Sequence, residues 1–182
     1  MSLLALLTPK QIVNRIWEVD PAALAGAGVR GLVLDLDNTL TEWNRPQFVA
    51  GVQDWLAAAR QAGLGLCIAS NAAGESRVQA LADRVGAHCI VRAGKPRRGA
   101  YLRAAERMGT SPQSTAVIGD QIFTDILGGN RAGMTTILVR PFNRRDFPAT
   151  KVMRVLEWFV LRWLARRARA GDFSPKDTPP GG

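Results

Sequence analysis

Two carboxylates, Asp35 and Asp37, stand two residues apart at the end of an apolar run, Gly31-Leu32-Val33-Leu34. The run reads as a buried β-strand. Like charges at the rim of a core repel each other and lose hydration. The pair therefore calls for a compensating cation, and a metal ion is the simplest. Three more polar groups follow other strand-like runs: Ser70-Asn71, Lys95, and Gly119-Asp120 with Asp125 five residues on. Phosphoryl transfer needs a nucleophile, a proton donor, charge neutralisation around phosphorus and a metal. Asp35 can attack phosphorus and form an aspartyl-phosphate, with Mg²⁺ relieving the repulsion between carboxylate and phosphate. Asp37 lies on the same side of an extended chain and can protonate the leaving oxygen, then activate water.

The remaining groups fit around that pair. Asp120 is placed to bind the same hard cation through oxygen, and Gly119 lets the backbone turn tightly before it. Asp125, at a helix start, can hold a metal-bound water or a neighbouring side chain. Its alternative is helix capping, with Thr124 as a competing cap. The Ser70 hydroxyl and the backbone N–H groups of Ser70-Asn71 can hold phosphoryl oxygens at a helix N-terminus, or Ser70 can serve as a plain cap. Lys95, ahead of Pro96, can neutralise phosphate and nucleophile, although a surface lysine is the commoner case.

These residues need elements to hold them. Strand-like runs occur at Gly31–Leu36, Leu64–Ala69, His88–Val91, Thr115–Ile118 and Thr135–Val139. Helix-like segments fall between, at about 47–61, 75–85, 97–108 and 124–131, with glycines at 63, 86, 109 and 133 where helices should stop. Strand alternating with helix predicts an α/β, doubly wound parallel sheet of five core strands. Such sheets bind ligands beyond the carboxyl ends of their strands, where Asp35, Ser70, Lys95 and Asp120 all fall. Ahead of the core, Thr8-Pro9-Lys10-Gln11 has the form of a capping box and predicts a short helix to about Trp17. Asp20-Pro21 opens a further short turn. The expected organisation is an N-terminal helical segment over 1–30, a core over 31–140, a basic amphipathic helix within 141–170 and a disordered tail over 171–182.

Composition is that of an ordinary globular domain, 182 residues with 47% hydrophobic and 21% charged. The net charge of +9 points to an anionic partner. Most of it lies in one place: from Arg140 to Arg169 there are nine Lys/Arg against two acids, Asp146 and Glu157. That distribution disfavours nucleic acid as partner of the core. Cys67 and Cys89 sit in apolar runs and read as reduced, buried thiols. The single His88 lacks companions for a zinc site and reads as a surface or strand-end residue. Leu3–Leu7 is too short and lacks a basic flank for a secretory signal, and no uncharged run reaches the roughly 18 apolar residues of a membrane span. The expected location is the cytoplasm, peripheral on the inner face of the cell membrane.

DLDNT, SN, KP and GDQIFTD, in that order and each after a strand, resemble the haloacid dehalogenase (HAD) superfamily of phosphohydrolases. The resemblance covers about residues 30 to 140. It implies a HAD-like Rossmannoid core, Asp35 as nucleophile, Asp37 as acid/base, phosphate contacts from Thr39, Ser70, Asn71 and Lys95, and Mg²⁺ held by Asp35, Asp120 and the Asp37 backbone carbonyl. An aspartate at 37 favours phosphatase chemistry over dehalogenation. LLTPKQIVNRIWEVDP, GLVLDLDNTL, SNA, GKP and GDQIFTDILGGNRAG extend the likeness to the YqeG-type members, subfamily IIIA, which are similar to mitochondrial phosphatidylglycerophosphate phosphatases. In that extended motif Arg131 is a candidate phosphate or supporting contact, its alternative being a helix C-terminal arginine.

Spacing bears on the substrate. Asp37 and Ser70 are 33 residues apart, Ser70 and Lys95 25. Neither gap has room for a cap domain, so the site is expected to be open to a large or surface-presented phosphate. In Lys151–Arg169, Val152, Leu156, Phe159, Val160, Trp163 and Leu164 share one helical face, with Lys151, Arg154, Arg162 and Arg169 on the other. Trp158 and Leu161 break the partition. The pattern fits an interfacial helix on anionic lipid or a terminal helix packed on the sheet. The leading expectation is a Mg²⁺-dependent phosphomonoesterase acting on a lipid head group, phosphatidylglycerophosphate, at the membrane surface. Alternatives are a phosphatase of soluble nucleotides or sugar phosphates, and a non-catalytic RNA- or lipid-binding module.

Overall fold

In a computed structural model, residues 3–72 and 74–142 are described. The expected helix over 151–169 and the tail over 171–182 lie outside the described residues. The elements run α1 (Leu3–Leu7), β1 (Gln11–Val13), a 3₁₀ turn (Ile16–Glu18), α2 (Pro21–Gly26), β2 (Gly31–Leu34), α3 (Val52–Gln61), β3 (Gly65–Ala69), α4 (Glu75–Arg84), β4 (His88–Ile90), α5 (Arg98–Met108), β5 (Thr115–Gly119), a π-helical turn (Ile122–Ile126), α6 (Leu127–Ala132) and β6 (Thr135–Val139). A further 3₁₀ turn, Pro112–Ser114, precedes β5.

All six strands are parallel, in the order β1-β6-β5-β2-β3-β4. The five expected strands are all present. Alternate residues of each strand enter opposite cores, as the two-residue period of a strand requires. Leu32, Leu34, Leu66 and Ile68 pack against Trp55 and Leu56 of α3 and Val78 and Leu81 of α4. Val33, Cys67, Ala69 and Val117 pack against Ala100, Tyr101 and Ala104 of α5 and Ala132 of α6. Helices thus cover both faces, which leaves the carboxyl edge of the sheet as the place for a ligand. The chain reverses direction across the sheet between β2 and β5, so the crevice opens beyond their ends.

The sixth strand corrects the expectation for the N-terminal segment. Residues 11–13 are not helical: they form β1, an edge strand paired with Ile137–Val139 of β6, and the Lys10 N–H donates to the Thr136 carbonyl at 2.8 Å. Two β-branched residues, Ile12 and Val13, favour extended backbone, and a proline just before an edge strand costs no ladder bond. These outweigh the capping pattern. Asn130 clamps the segment, donating from Nδ2 to the carbonyls of Leu6 (2.8 Å) and Thr8 (3.0 Å). Asp20 caps α2 by accepting from the Ala22 N–H at 2.8 Å.

The connection from β2 to α3 is residues 35–51 and that from β3 to α4 is residues 70–74; no folded insertion interrupts either among the described residues. Among the described residues, then, no cap covers the site. His88 is an exposed strand-start residue, and Cys67 and Cys89 are buried free thiols. Among the described residues no helix is long and apolar enough to cross a membrane.

Candidate active site

Asp35 is the first residue beyond β2. Its N–H donates to the Ile118 carbonyl of β5 at 2.9 Å, so the ladder fixes it against the neighbouring strand. The chain then turns sharply: the Leu36 carbonyl accepts from the Leu40 and Thr41 N–H groups at 2.9 and 3.0 Å. Asn38 takes φ +66° within the turn, a left-handed value that asparagine tolerates. Leu36 and Leu40 are fully buried and anchor the turn from below.

Lys95 reaches Asp35 from the loop after β4. Its Nζ donates to Asp35 Oδ1 at 2.5 Å and to Asp125 Oδ1 at 2.7 Å, and all three side chains are at least nine-tenths buried. The Lys95 backbone is held by Asn71 in a reciprocal pair: the Lys95 N–H donates to Asn71 Oδ1 at 2.9 Å, and Asn71 Nδ2 donates to the Lys95 carbonyl at 3.1 Å. The Asn71 side chain thereby ties the β3 and β4 loops together. Ser70, buried beside it, accepts from the Ala72 N–H at 3.1 Å. The Thr39 hydroxyl is buried with no hydrogen-bond partner.

Asp35, Asp120 and Asp125 place carboxylate oxygens within 4.8 Å of one another. Asp120 is the first residue beyond β5, and Asp125 projects back from the π-helical turn, its Oδ2 accepting from the Gln121 N–H at 3.2 Å. So Asp125 both caps that turn and faces Lys95. Gly119 serves it through space rather than through conformation: a Cβ there would overlap the Asp125 carboxyl group. Tyr101 steadies the same turn, donating to the Thr124 carbonyl at 2.8 Å.

The electrostatics follow from burial. With its carboxylates ionised and Lys95 charged, the group Asp35, Asp120, Asp125 and Lys95 carries two net negative charges in a dry place. Burial pushes the Asp35 carboxyl up to about 7; Lys95 opposes the rise, and Asp125 and Asp37 add to it. Burial works against the charge on Lys95, but Asp125 and Asp35 more than offset it and hold its pKa well above the usual lysine range. Asp35 Oδ2 is buried and has no hydrogen-bond partner. An all-oxygen donor set with surplus negative charge suits a hard divalent cation.

Asp37 lies at the rim, with its side chain 19% exposed. Both its oxygens are occupied. Oδ1 accepts from the Asn44 N–H at 2.7 Å and from an Arg77 terminal nitrogen at 2.9 Å, and Oδ2 accepts from the same nitrogen at 2.6 Å. Arg77 is the site residue the sequence reading missed. It lies in the first turn of α4, where a cation opposes the helix dipole; that placement is the signal that an anion sits nearby. Arg131 is exposed in the last turn of α6, a helix that returns from the carboxyl end of β5 toward the start of β6.

A family model described as HAD-hydrolase-like matches residues 92–142. The chain is 37% identical over 159 residues to the probable phosphatase YqeG of Bacillus subtilis, covering 87% of this chain and 92% of that protein. It is 31% identical to phosphatidylglycerophosphate phosphatase 1, chloroplastic, of Chlamydomonas reinhardtii, over 96% of this chain and 69% of the other. Among solved structures, a HAD family hydrolase from Deinococcus radiodurans with bound phosphate and sodium superposes with a TM-score of 0.52 at 17% identity, covering 70% of this chain and 88% of that one. At that identity the likeness shows the fold.

Proposed function

The chain belongs to the YqeG family of HAD-like phosphatases, and from that premise we propose that it hydrolyses phosphatidylglycerophosphate at a membrane surface through an aspartyl-phosphate on Asp35. The observation that carries the mechanism is the setting of Asp35. Lys95 holds one carboxylate oxygen, and the other is buried without a hydrogen-bond partner.

In this reading Asp35 attacks phosphorus and the bond from phosphorus to the leaving oxygen breaks. Asp37 gives that oxygen its proton. Water then attacks the aspartyl-phosphate and loses its proton to Asp37, which releases inorganic phosphate and restores both carboxyl groups. Lys95 fixes the nucleophile and offsets phosphoryl charge, while the Thr39 and Ser70 hydroxyls and the Asn71 N–H are candidates for the phosphoryl oxygens; the Ser70 N–H is spent on the Ile90 carbonyl at 3.1 Å. Asp35, Asp120 and the Asp37 carbonyl would hold Mg²⁺, with Asp125 beside them through Lys95. When bound, Mg²⁺ supplies the positive charge that lets a carboxylate approach a phosphate dianion.

Three features support a lipid substrate. A relative identical at 31% is named for this reaction. Among the described residues no cap stands over the site, which suits a bulky leaving group. The rim carries an exposed tryptophan, Trp43, and the exposed Arg45, on the loop that follows Asp37, a pairing suited to an anionic interface. Residues 31–140 then form the catalytic core, and the basic stretch over 141–170 provides further membrane attraction from the cytoplasmic side.

The test is phosphate release from phosphatidylglycerophosphate in mixed micelles, beside a panel of soluble nucleotides and sugar phosphates. The lipid should be preferred, Mg²⁺ required, and Asp35→Asn inactive. A protein that turns over the soluble panel and ignores the lipid overturns the substrate while leaving the chemistry in place. Activity that persists in Asp35→Asn overturns the mechanism.

A further inference from the structure

Arg77 has no part in the mechanism above, yet it controls the acid/base. Its NH2 nitrogen lies 2.9 Å from Oδ1 and 2.6 Å from Oδ2 of Asp37. Its NH1 nitrogen donates to the Arg45 carbonyl at 2.9 Å, which fixes the guanidinium to the loop on the outer side of Asp37. The side chain is only 13% exposed, and Nε is buried with no hydrogen-bond partner. The arrangement has two consequences. Asp37 meets a leaving group in competition with Arg77 and Asn44, which occupy three of its roughly four acceptor positions. And Arg77, nearly buried, cannot lose its carboxylate without another anion to replace it, because an uncompensated buried charge is costly.

We propose that Arg77 is a specificity-determining residue: it takes a second anionic group carried by the leaving group, and that exchange frees Asp37 to act on the leaving oxygen. The inference rests on the phosphatase reading of Asp35 and Asp37. The ligand class is a phosphomonoester joined through a short polyol to a second anion, such as a phosphodiester. Arginine suits that role because its fork binds phosphate in two-point fashion, and the idle Nε gives it a donor to spare. A monoester with an uncharged leaving group would have to displace the ion pair and leave Arg77 without a partner, so it is discriminated against. The anion can belong to a lipid head group or to a free bisphosphate; acyl chains are no part of the recognition.

The experiment compares three substrates: diacyl phosphatidylglycerophosphate in micelles, its deacylated head group glycerophosphoglycerophosphate, and glycerol 3-phosphate. For the unsubstituted protein kcat/KM should be at least tenfold higher for the deacylated head group than for glycerol 3-phosphate. In Arg77→Ala that ratio should fall to near one, and Arg77→Lys should restore part of it. A substitution that merely loosens the fold lowers both substrates together and keeps the ratio, a result that overturns the proposal. So does a preference seen only with the acylated substrate. Binding is measured in parallel by calorimetry on Asp35→Asn, which needs no turnover: tenfold tighter binding of the head group than of glycerol 3-phosphate is expected, and equal affinities overturn the role of Arg77. Failure to hydrolyse the diacyl lipid while the head-group preference persists refutes the lipid substrate alone.

Discussion

The carboxylate of Asp125 fills the space in which a side chain on Gly119 would stand. This contact lets a residue from the π-helical turn meet Lys95 beneath the end of β5. Replacing Gly119 by alanine should push Asp125 off Lys95, or bend β5 away from β2. We expect Gly119→Ala to lower kcat/KM by at least tenfold and to raise the Mg²⁺ concentration needed for half-maximal activity. A metal titration of activity, with circular dichroism to confirm folding, checks this.

Lys95 is the counter-charge of two buried carboxylates. Lys95→Met should leave Asp35 and Asp125 facing each other without it, at a cost of about 3–5 kcal/mol in stability near neutral pH. Urea unfolding of the metal-free protein measures the loss. Added Mg²⁺ should recover part of the stability, and phosphatase activity should fall by about two orders of magnitude or more.

The raised Asp35 carboxyl sets a pH dependence with a definite sign. Its folded value, about 7, exceeds the ordinary 3.8, so between those values the folded state binds more protons than the unfolded state. Stability of the metal-free protein therefore falls as pH rises through that window. Asp35→Asn should flatten the fall. Cation binding should also release protons near pH 6 and release few above pH 8. Calorimetry in buffers of differing ionisation enthalpy reads the proton count directly.

How much of this was legible follows from where each signal lies in the chain. The five core strands announce themselves as apolar runs with β-branched residues, and a polar residue at the end of a buried strand has few explanations besides a site. Asp35, Ser70, Lys95 and Asp120 were visible for that reason. β1 was not, because three residues carry little periodicity and the preceding Thr8-Pro9 mimics a cap. Arg77 was passed over because its partner Asp37 is forty residues away; its one local trace, a cation in the first turn of α4, points to an anion without naming it. The reason for Gly119 was misread: its need is for the room Asp125 occupies, a fact of tertiary packing.

The cysteines offer an independent check of the core. Burial pushes the Cys67 thiol up to about 12 and raises that of Cys89 as well. Neither should react with a disulfide reagent at pH 8 in the folded protein, and both should react on unfolding in denaturant. Fast labelling of Cys67 under native conditions would contradict the packing of β3 against α5.

The central claim is that Asp35 becomes phosphorylated. Acyl-phosphates are reduced by borohydride, which converts the aspartate to homoserine. Quenching the protein during turnover of phosphatidylglycerophosphate with Mg²⁺, reducing it and mapping its peptides by mass spectrometry should find homoserine at position 35. The conversion should require substrate. Steady turnover with no conversion at Asp35, or with conversion at another carboxylate, would contradict the account.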